Sequence, residues 1–229
     1  MKLIISRTLI GIFLLASFSV LSQDREERSL DSFSKMRVGE GIKVELKKGT
    51  SEKAIIEVRG LDVDDVVTEI RGGSLNIYLD GNWHRNIDVS IELTYKSLNS
   101  ITISSAGNVR TNEAIESDDL YISASSAGGG DIEVKVKELE LEASSAGTLD
   151  VYGSTIELEA AASSAGSIDA YDLKAEEVVV RASSAGSIKV QATKLIDARA
   201  SSGGSIRYRG NPSKEYTNSS SGGSVRKSG

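Results

Sequence analysis

The sequence predicts an all-β protein, a β-solenoid whose coils are each about 19 residues long. A short block, Ser-Ser-Ala-Gly or Ser-Ser-Gly-Gly, recurs through the second half of the chain. Apolar and polar residues alternate on both sides of each block, and no helical periodicity accompanies them. The spacings between successive blocks are 21, 19, 19, 20, 18 and 19 residues, counted from Ser104, Ser125, Ser144, Ser163, Ser183, Ser201 and Ser220. This period indicates one coil per repeat.

The alternation divides each coil into inward and outward positions, because successive side chains of a strand point to opposite faces. In "LELEASSAGTLDVY" the apolar residues share one parity. Later coils repeat it with Ile156, Leu158, Ala160, Ala162, Val178, Val180, Ile188, Val190, Ile196, Ala198, Ile206 and Tyr208. By the same parity, the second serine of each block (Ser164, for example) and the glycine two residues later should face inward. Small residues there would let the backbones approach at a narrow corner.

The longer spacing after Ser104 is assigned to two extra residues, Gly129 and Gly130. An insertion of two residues preserves the parity of a strand, so the inward face continues across it.

Residues 1–22 are typical of a secretory signal peptide. Lys2 and Arg7 precede an apolar run that ends at Leu21, and Ser22 is small enough to precede the cleavage site. An uncleaved membrane anchor is the alternative. Residues 23–30 are expected to be an N-terminal linker, and residues 31–229 a single domain.

Residues 31–100 lack the serine block but keep the strand pattern, as in "GIKVELKKG" and "NIDVSIELTY". We expect degenerate early coils and a cap of the same domain, which residues 101–229 continue as regular coils. A separate small β-domain is the alternative. The last block, "NSSSGGSVRKSG", is polar and would protect the open end from pairing with another chain.

The composition excludes several classes of function. Without Lys2 and Arg7, 25 basic residues face 33 acidic ones, a net charge of −8 that disfavours nucleic acid and anionic membranes as partners. The chain contains no cysteine, which excludes disulfides and metal sites built on thiolates. Its one histidine, His84 in "DGNWHRN", is expected to be a loop residue, and no catalytic motif accompanies it.

Two outward columns carry the candidate ligand residues. The first contains Arg110, Glu133, Asp150, Asp169, Lys189, Arg207 and Arg226, and the second contains Asn112, Lys135, Tyr152, Tyr171, Gln191 and Arg209. Tyr152 and Tyr171, flanked by Asp150 and Asp169, would form an aromatic surface suited to sugars. The alternative is a cross-strand tyrosine pair that stabilises the sheet.

Asp150 and Asp169 would lie about one strand spacing apart and repel each other. A calcium ion could relieve this, but a pair between Lys189 and Asp169 with solvent screening is the expected solution. The first serines of the blocks, including Ser144, Ser163 and Ser183, would form an outward row of small residues beside these columns.

The combination of features resembles a known family. The leader, "RSLDSFSKMRVGEGIKVELKKG", "IRGGSLNIYLDG" and the serial "SSAG" blocks are similar to the putative auto-transporter adhesins with a head GIN domain, common in Bacteroidetes. The likeness spans about Ser29 to Val225. It implies a right-handed parallel β-helix, a location outside the cytoplasm and a role in adhesion.

These observations predict an exported, non-enzymatic interaction module that contacts glycans or envelope and surface proteins. We expect no cofactor, no metal, no nucleic acid and no membrane span after leader cleavage. The location would be the periplasm, the cell surface or the medium. A polysaccharide-acting β-helix enzyme and a structural spacer rod are the alternatives.

Overall fold

The computed structural model describes residues 24–81 and 87–228, so the leader and His84 lie outside the described residues. It confirms the all-β solenoid: the described part contains seventeen strands and one 3-10 turn, Val63–Asp65. No helix in it is long and apolar enough to cross a membrane. The strands are β1 Asp24–Ser29, β2 Lys35–Val38, β3 Lys43–Lys48, β4 Lys53–Arg59, β5 Val66–Arg71, β6 Ser74–Leu79, β7 Asp88–Tyr95, β8 Ser100–Ile103, β9 Asn108–Thr111, β10 Ile115–Ala124, β11 Gly129–Ala143, β12 Thr148–Ala162, β13 Ser167–Ala182, β14 Ser187–Ala200, β15 Ser205–Arg209, β16 Lys214–Ser219 and β17 Ser224–Lys227.

Each regular coil runs from one serine block to the next and pairs in parallel with the coils on either side. Strands β11 and β12, for example, pair in one register from Gly129 and Thr148 to Ala143 and Ala162. The inward apolar residues form a single hydrophobic core that extends from Phe33 to Tyr208. The stacked parallel coils therefore share one continuous interior.

The serine block is a tight turn, and it corrects one prediction. In the fourth block, Gly166 N–H donates to the Ser163 carbonyl over 2.8 Å. Ser164 and Ala165 adopt positive φ angles of 49° and 62°, as the central residues of a type I′ turn do. Ser164 is exposed, not inward, and so are the other second serines. The left-handed pair interrupts strand alternation within the turn, and the inward parity of Ala162 resumes at Gly166.

The glycine that ends the block does face inward, for a steric reason. A Cβ on Gly166 would lie 2.3 Å from the carbonyl oxygen of Ala143 in the preceding coil. Neighbouring coils approach too closely here for any side chain. The buried alanines that precede the blocks, such as Ala143, complete this narrow corner.

The predicted place of the two extra residues was also wrong. Gly129 and Gly130 are not an insertion, because they pair with Thr148 and Leu149 at the regular spacing. The two extra residues lie within Thr111–Ala114. Arg110 pairs with a residue 21 positions later in the chain, whereas Ile115 pairs with one 19 positions later.

The shifted insertion changes both predicted columns. Asp131, not Glu133, lies in the first column, where it pairs with Arg110 and Asp150. Glu133, not Lys135, pairs with Tyr152 in the second. Ile156 is 47% exposed and not inward, because Thr155 occupies the buried position next to it. The inward parity of Leu149 and Val151 continues to Thr155. It slips by one residue before the next buried position, Leu158, so that Ile156 and Glu157 are both exposed.

The early coils stack in an order that differs from the chain order. Strands β2 and β3 form a coil that lies between the β6–β7 coil and the β8–β9 coil. Beyond β6 and β7 the strands become antiparallel: β5 pairs with β6, β4 with β7 and β1 with β4. The segment expected to be a linker, residues 23–30, therefore contains the outermost cap strand β1.

At the C-terminal end, polar side chains occupy the register positions that apolar residues fill in the earlier coils. Glu215 pairs with Ile196 of β14, an inward residue, and Lys227 pairs with the buried Tyr208. The Glu215 carboxylate accepts hydrogen bonds from Tyr208 Oη at 3.1 Å and from Lys227 Nζ at 2.7 Å. An ion pair thus covers the end of the core where no further coil follows in the described chain.

Candidate functional site: an outward face with a charged row

One outward face continues along the whole stack, through β1, β4, β7, β3, β9, β11, β12, β13, β14, β15 and β17. It carries a row of charged residues, one from each of seven consecutive coils between β9 and β17, which we call the central row. The row contains Arg110, Asp131, Asp150, Asp169, Lys189, Arg207 and Arg226, all in direct register. Neighbouring members are about 4.8 Å apart along the stack.

The acidic half of the central row is electrostatically unfavourable within one molecule. Partial loss of hydration, together with the carboxylates of Asp169 and Asp131, raises the pKa of Asp150. Lys189 relieves one end, because its Nζ donates to Asp169 Oδ2 over 2.7 Å, as predicted. This bond and the charge of Asp169 raise the pKa of Lys189. Asp131 and Asp150 make no ion pair within the described residues.

The basic half of the central row is also unneutralised. Arg207 and Arg226 are exposed, lie in register on β15 and β17, and form no ion pair among residues 24–81 and 87–228. Like charges placed directly opposite on neighbouring strands are destabilising. The two guanidinium groups are therefore available to an anionic partner.

The tyrosines lie beside the central row, where the ladder is irregular. Pairing between β12 and β13 shifts after Asp150 and resumes at Gly153, so Tyr152 and Tyr171 have no regular register with each other. Both are half-buried.

The Tyr171 ring is already in contact with cations of its own chain. The Arg209 guanidinium lies 5.0 Å and the Lys189 ammonium 5.7 Å from its centre. Its hydroxyl is 3.0 Å from Ser228 Oγ. Arg209 is held in turn by Asp172, at 2.8 Å.

The predicted serine row lies at the corner beside this face. Ser144, Ser163 and Ser183 are half-buried, and their N–H groups donate to the alanine carbonyls of the preceding coil. The residues that project from the corner are the second serine and the alanine, as in Ser164 and Ala165. Strand alternation could not predict that these two residues project outward, because it does not apply to residues with left-handed backbone angles.

A second charged row lies on another face of the solenoid. In-register carboxylates follow one another across β10 to β13, where Asp119, Glu138, Glu157 and Glu177 pair in succession. The described residues include no group of three or more acidic or histidine side chains placed to hold a metal ion. The signal for this row was present in the sequence as a carboxylate at one position of four successive coils.

An open groove of about 730 Å³ lies near the N-terminal cap, away from the tyrosines. Its charged lining is balanced, with Arg25, Lys43, Arg110, Glu45, Glu57 and Glu92, and the half-buried Ile55 lies among them. Lys43 is paired with Asp88 at 2.6 Å. None of the candidate ligand residues Asp150, Tyr152, Asp169 and Tyr171 lines this groove.

Comparison with known proteins gives a consistent result. The chain is similar in structure to a putative adhesin from Bacteroides fragilis, with a TM-score of 0.82, 20% identity and coverage of 90% of this chain and 97% of that one. A putative adhesin from Parabacteroides merdae matches with a TM-score of 0.74, 18% identity and coverage of 90% and 96%. One from Parabacteroides distasonis matches with a TM-score of 0.67, 18% identity and coverage of 90% and 97%. At these identities the likeness shows a shared fold.

No curated protein matches the chain. A family described as putative auto-transporter adhesin, head GIN domain, matches residues 32–212, which is most of the solenoid and its cap. The chain therefore belongs to the family of putative auto-transporter adhesins with a head GIN domain.

Proposed function

We propose that this protein is an exported, non-enzymatic interaction module that contacts glycans or proteins of the cell envelope or surface. The observation that carries the proposal is the unbroken outward face, on which polar side chains repeat in register from coil to coil. Such a face offers many equivalent contacts to an extended partner, whereas an enzyme of this fold would need a cleft formed by loop insertions. Membership of an adhesin family supports the proposal.

Tyr152 and the neighbouring carboxylates are the proposed sugar contacts. A tyrosine ring covers the apolar face of a sugar, and carboxylate oxygens accept hydrogen bonds from its hydroxyls. Asp150 precedes Tyr152 by two residues on the same side of β12, and Asp169 lies opposite Asp150 on β13. Ser144, Ser163 and Ser183 border this surface at the corner. Tyr171 contributes less ring surface because Arg209 and Lys189 lie against it.

A glycan array tests this proposal with the purified protein and the variants Tyr152→Ala and Tyr216→Ala. Tyr216 is 58% exposed on β16 and provides a matched control away from the surface. We expect binding that Tyr152→Ala weakens at least tenfold and Tyr216→Ala leaves unchanged. Equal binding by both variants would reject the surface. Binding to no glycan or envelope protein would favour a spacer rod, and release of oligosaccharides from a polymer would favour an enzyme.

A further inference from the structure

The order of charges along the central row is self-complementary. From Asp131 the row reads three acidic residues and then three basic ones: Asp131, Asp150, Asp169, Lys189, Arg207 and Arg226. A two-fold axis along the strand direction, between Asp169 and Lys189, reverses the order of coils and turns the face onto itself. Every acidic residue then faces a basic residue of the second copy.

We propose that this face is an interface between two copies of the chain, which associate face to face with their coils in opposite order. Asp131 then faces the other copy's Arg226, Asp150 faces its Arg207 and Asp169 faces its Lys189. Two-fold symmetry makes each pair occur twice, so one register neutralises all twelve charged groups. A shift by one coil places Asp169 against Asp169, and a parallel arrangement places like charges together. The row therefore selects a single register.

The exposure of these residues and their lack of ion pairs support a second copy of the chain as the partner. Four of the six, Asp131, Asp150, Arg207 and Arg226, are exposed and lack an ion pair within the described chain. The neighbouring carboxylates already raise the pKa of Asp150 in a single copy. An opposing guanidinium would remove this unfavourable interaction and leave none of the six charges from Asp131 to Arg226 unmatched, while Arg110 lies in register with Glu45 of its own chain.

The adjacent row permits close approach. Towards the serine corner, the position two residues before the central row holds only small residues, namely Gly129, Thr148, Ser167, Ser187, Ser205 and Ser224. Reversal of the coils places this small row against itself, so long side chains do not keep the faces apart.

The expected contact is small. Six coils at about 4.8 Å span about 29 Å, and three rows of side chains span about 20 Å, which gives roughly 600 Å² per copy. A standard stable interface buries about 800 Å² per partner. We therefore expect a weak dimer, with a Kd on the order of micromolar or higher, that dissociates when salt screens its charges.

Sedimentation velocity across a concentration series tests the proposal, in low salt and in about 0.5 M NaCl. We expect dimers in low salt and monomers in high salt. The double variants Arg207→Glu/Arg226→Glu and Asp131→Arg/Asp150→Arg should each remain monomeric, because four of the six facing contacts become like-charged. An equimolar mixture of the two should form a heterodimer, since all facing charges are then opposite.

The control is Arg181→Glu/Arg199→Glu, which makes the same change in net charge at two in-register positions of another face. It should dimerise as the parent does. A monomeric parent, a reversed-charge variant that still dimerises, or a mixture that does not associate would overturn the proposal. The inference does not rest on the proposed glycan contact, because association of purified copies needs no glycan.

Discussion

The third and fourth residues of the serine block lie in opposite environments. Its final glycine is required by close contact, whereas its third residue, alanine or glycine, points into open space with a left-handed backbone. In the block of Gly203 and Gly204, a Cβ on Gly204 would lie 2.4 Å from a backbone oxygen, and one on Gly203 would meet nothing closer than 4.0 Å. Backbone geometry therefore explains why the third residue is small and the fourth is always glycine in every coil.

The change Gly166→Ala should destabilise the protein by more than about 2 kcal/mol, because its Cβ would collide with the Ala143 carbonyl. Urea unfolding followed by circular dichroism measures this. The matched control is Gly203→Ala, at a position that other coils fill with alanine. It should cost about 1 kcal/mol, the penalty of a left-handed alanine. Equal effects of the two changes would contradict the close-approach argument.

The raised pKa of Asp150 predicts that its charge opposes folding at neutral pH. A folded-state pKa above the ordinary 3.8 means that the group's contribution is most favourable at low pH and is lost as the pH rises through the raised value. Asp150→Asn should therefore stabilise a dilute, monomeric sample at pH 7 and have little effect well below pH 3.8.

Glu52 is the control for Asp150, because its pKa is shifted in the opposite direction. A hydrogen bond from Lys96 lowers the pKa of the buried Glu52, so its stabilisation is present above its ordinary pKa of 4.5 and is lost as the pH falls through the lowered value. Glu52→Gln should destabilise at pH 7, with the difference shrinking in acid. Unfolding midpoints across pH measure both changes, and destabilisation by Asp150→Asn at pH 7 would refute the first prediction.

At the scale of elements, the two ends of the stack are closed by different devices. The C-terminal end uses the Glu215–Lys227 ion pair over Tyr208. The N-terminal end uses antiparallel strands, β1, β4 and β5, in place of a further parallel coil. Arg28 of β1 joins this cap, because its guanidinium donates to the carbonyls of Val63, at 3.0 Å, and Val66.

Arg28→Ala should destabilise the cap by about 2 kcal/mol, because it removes charge-assisted hydrogen bonds and leaves two carbonyls without them. Arg25→Ala is the control on the same strand: Arg25 is 63% exposed and lies 3.6 Å from Glu57, so its loss should cost less than about 1 kcal/mol. Chemical denaturation measures both. A loss from Arg25→Ala as large as from Arg28→Ala would show that charge, not the carbonyl contacts, stabilises the cap.

At the scale of the whole molecule, protection should fall from the middle of the stack towards the C-terminal end. Strands β11 to β14 pair on both sides, whereas β16 pairs only with β14 and all six of its residues are exposed. Hydrogen exchange followed by mass spectrometry should show slow exchange in β11 to β14 and fast exchange in β16. Uniform protection along the stack would indicate that the whole solenoid opens as one unit.

The sequence alone determined the solenoid, its period and most of its inward residues, including Leu139, Leu141 and Val178. These follow from local rules, because side chains alternate along any strand and a repeated segment repeats its conformation. The Lys189–Asp169 pair was predictable for the same reason, since equivalent positions of adjacent coils must lie together.

Tertiary structure decided the rest. The outward position of Ser164 depends on left-handed backbone angles that alternation does not encode. The place of Asp131 in the central row depends on where an insertion bulges, which is fixed by pairing with the next coil and not by the local sequence. The insertion of the β2–β3 coil between later strands depends on contacts between segments distant in the chain.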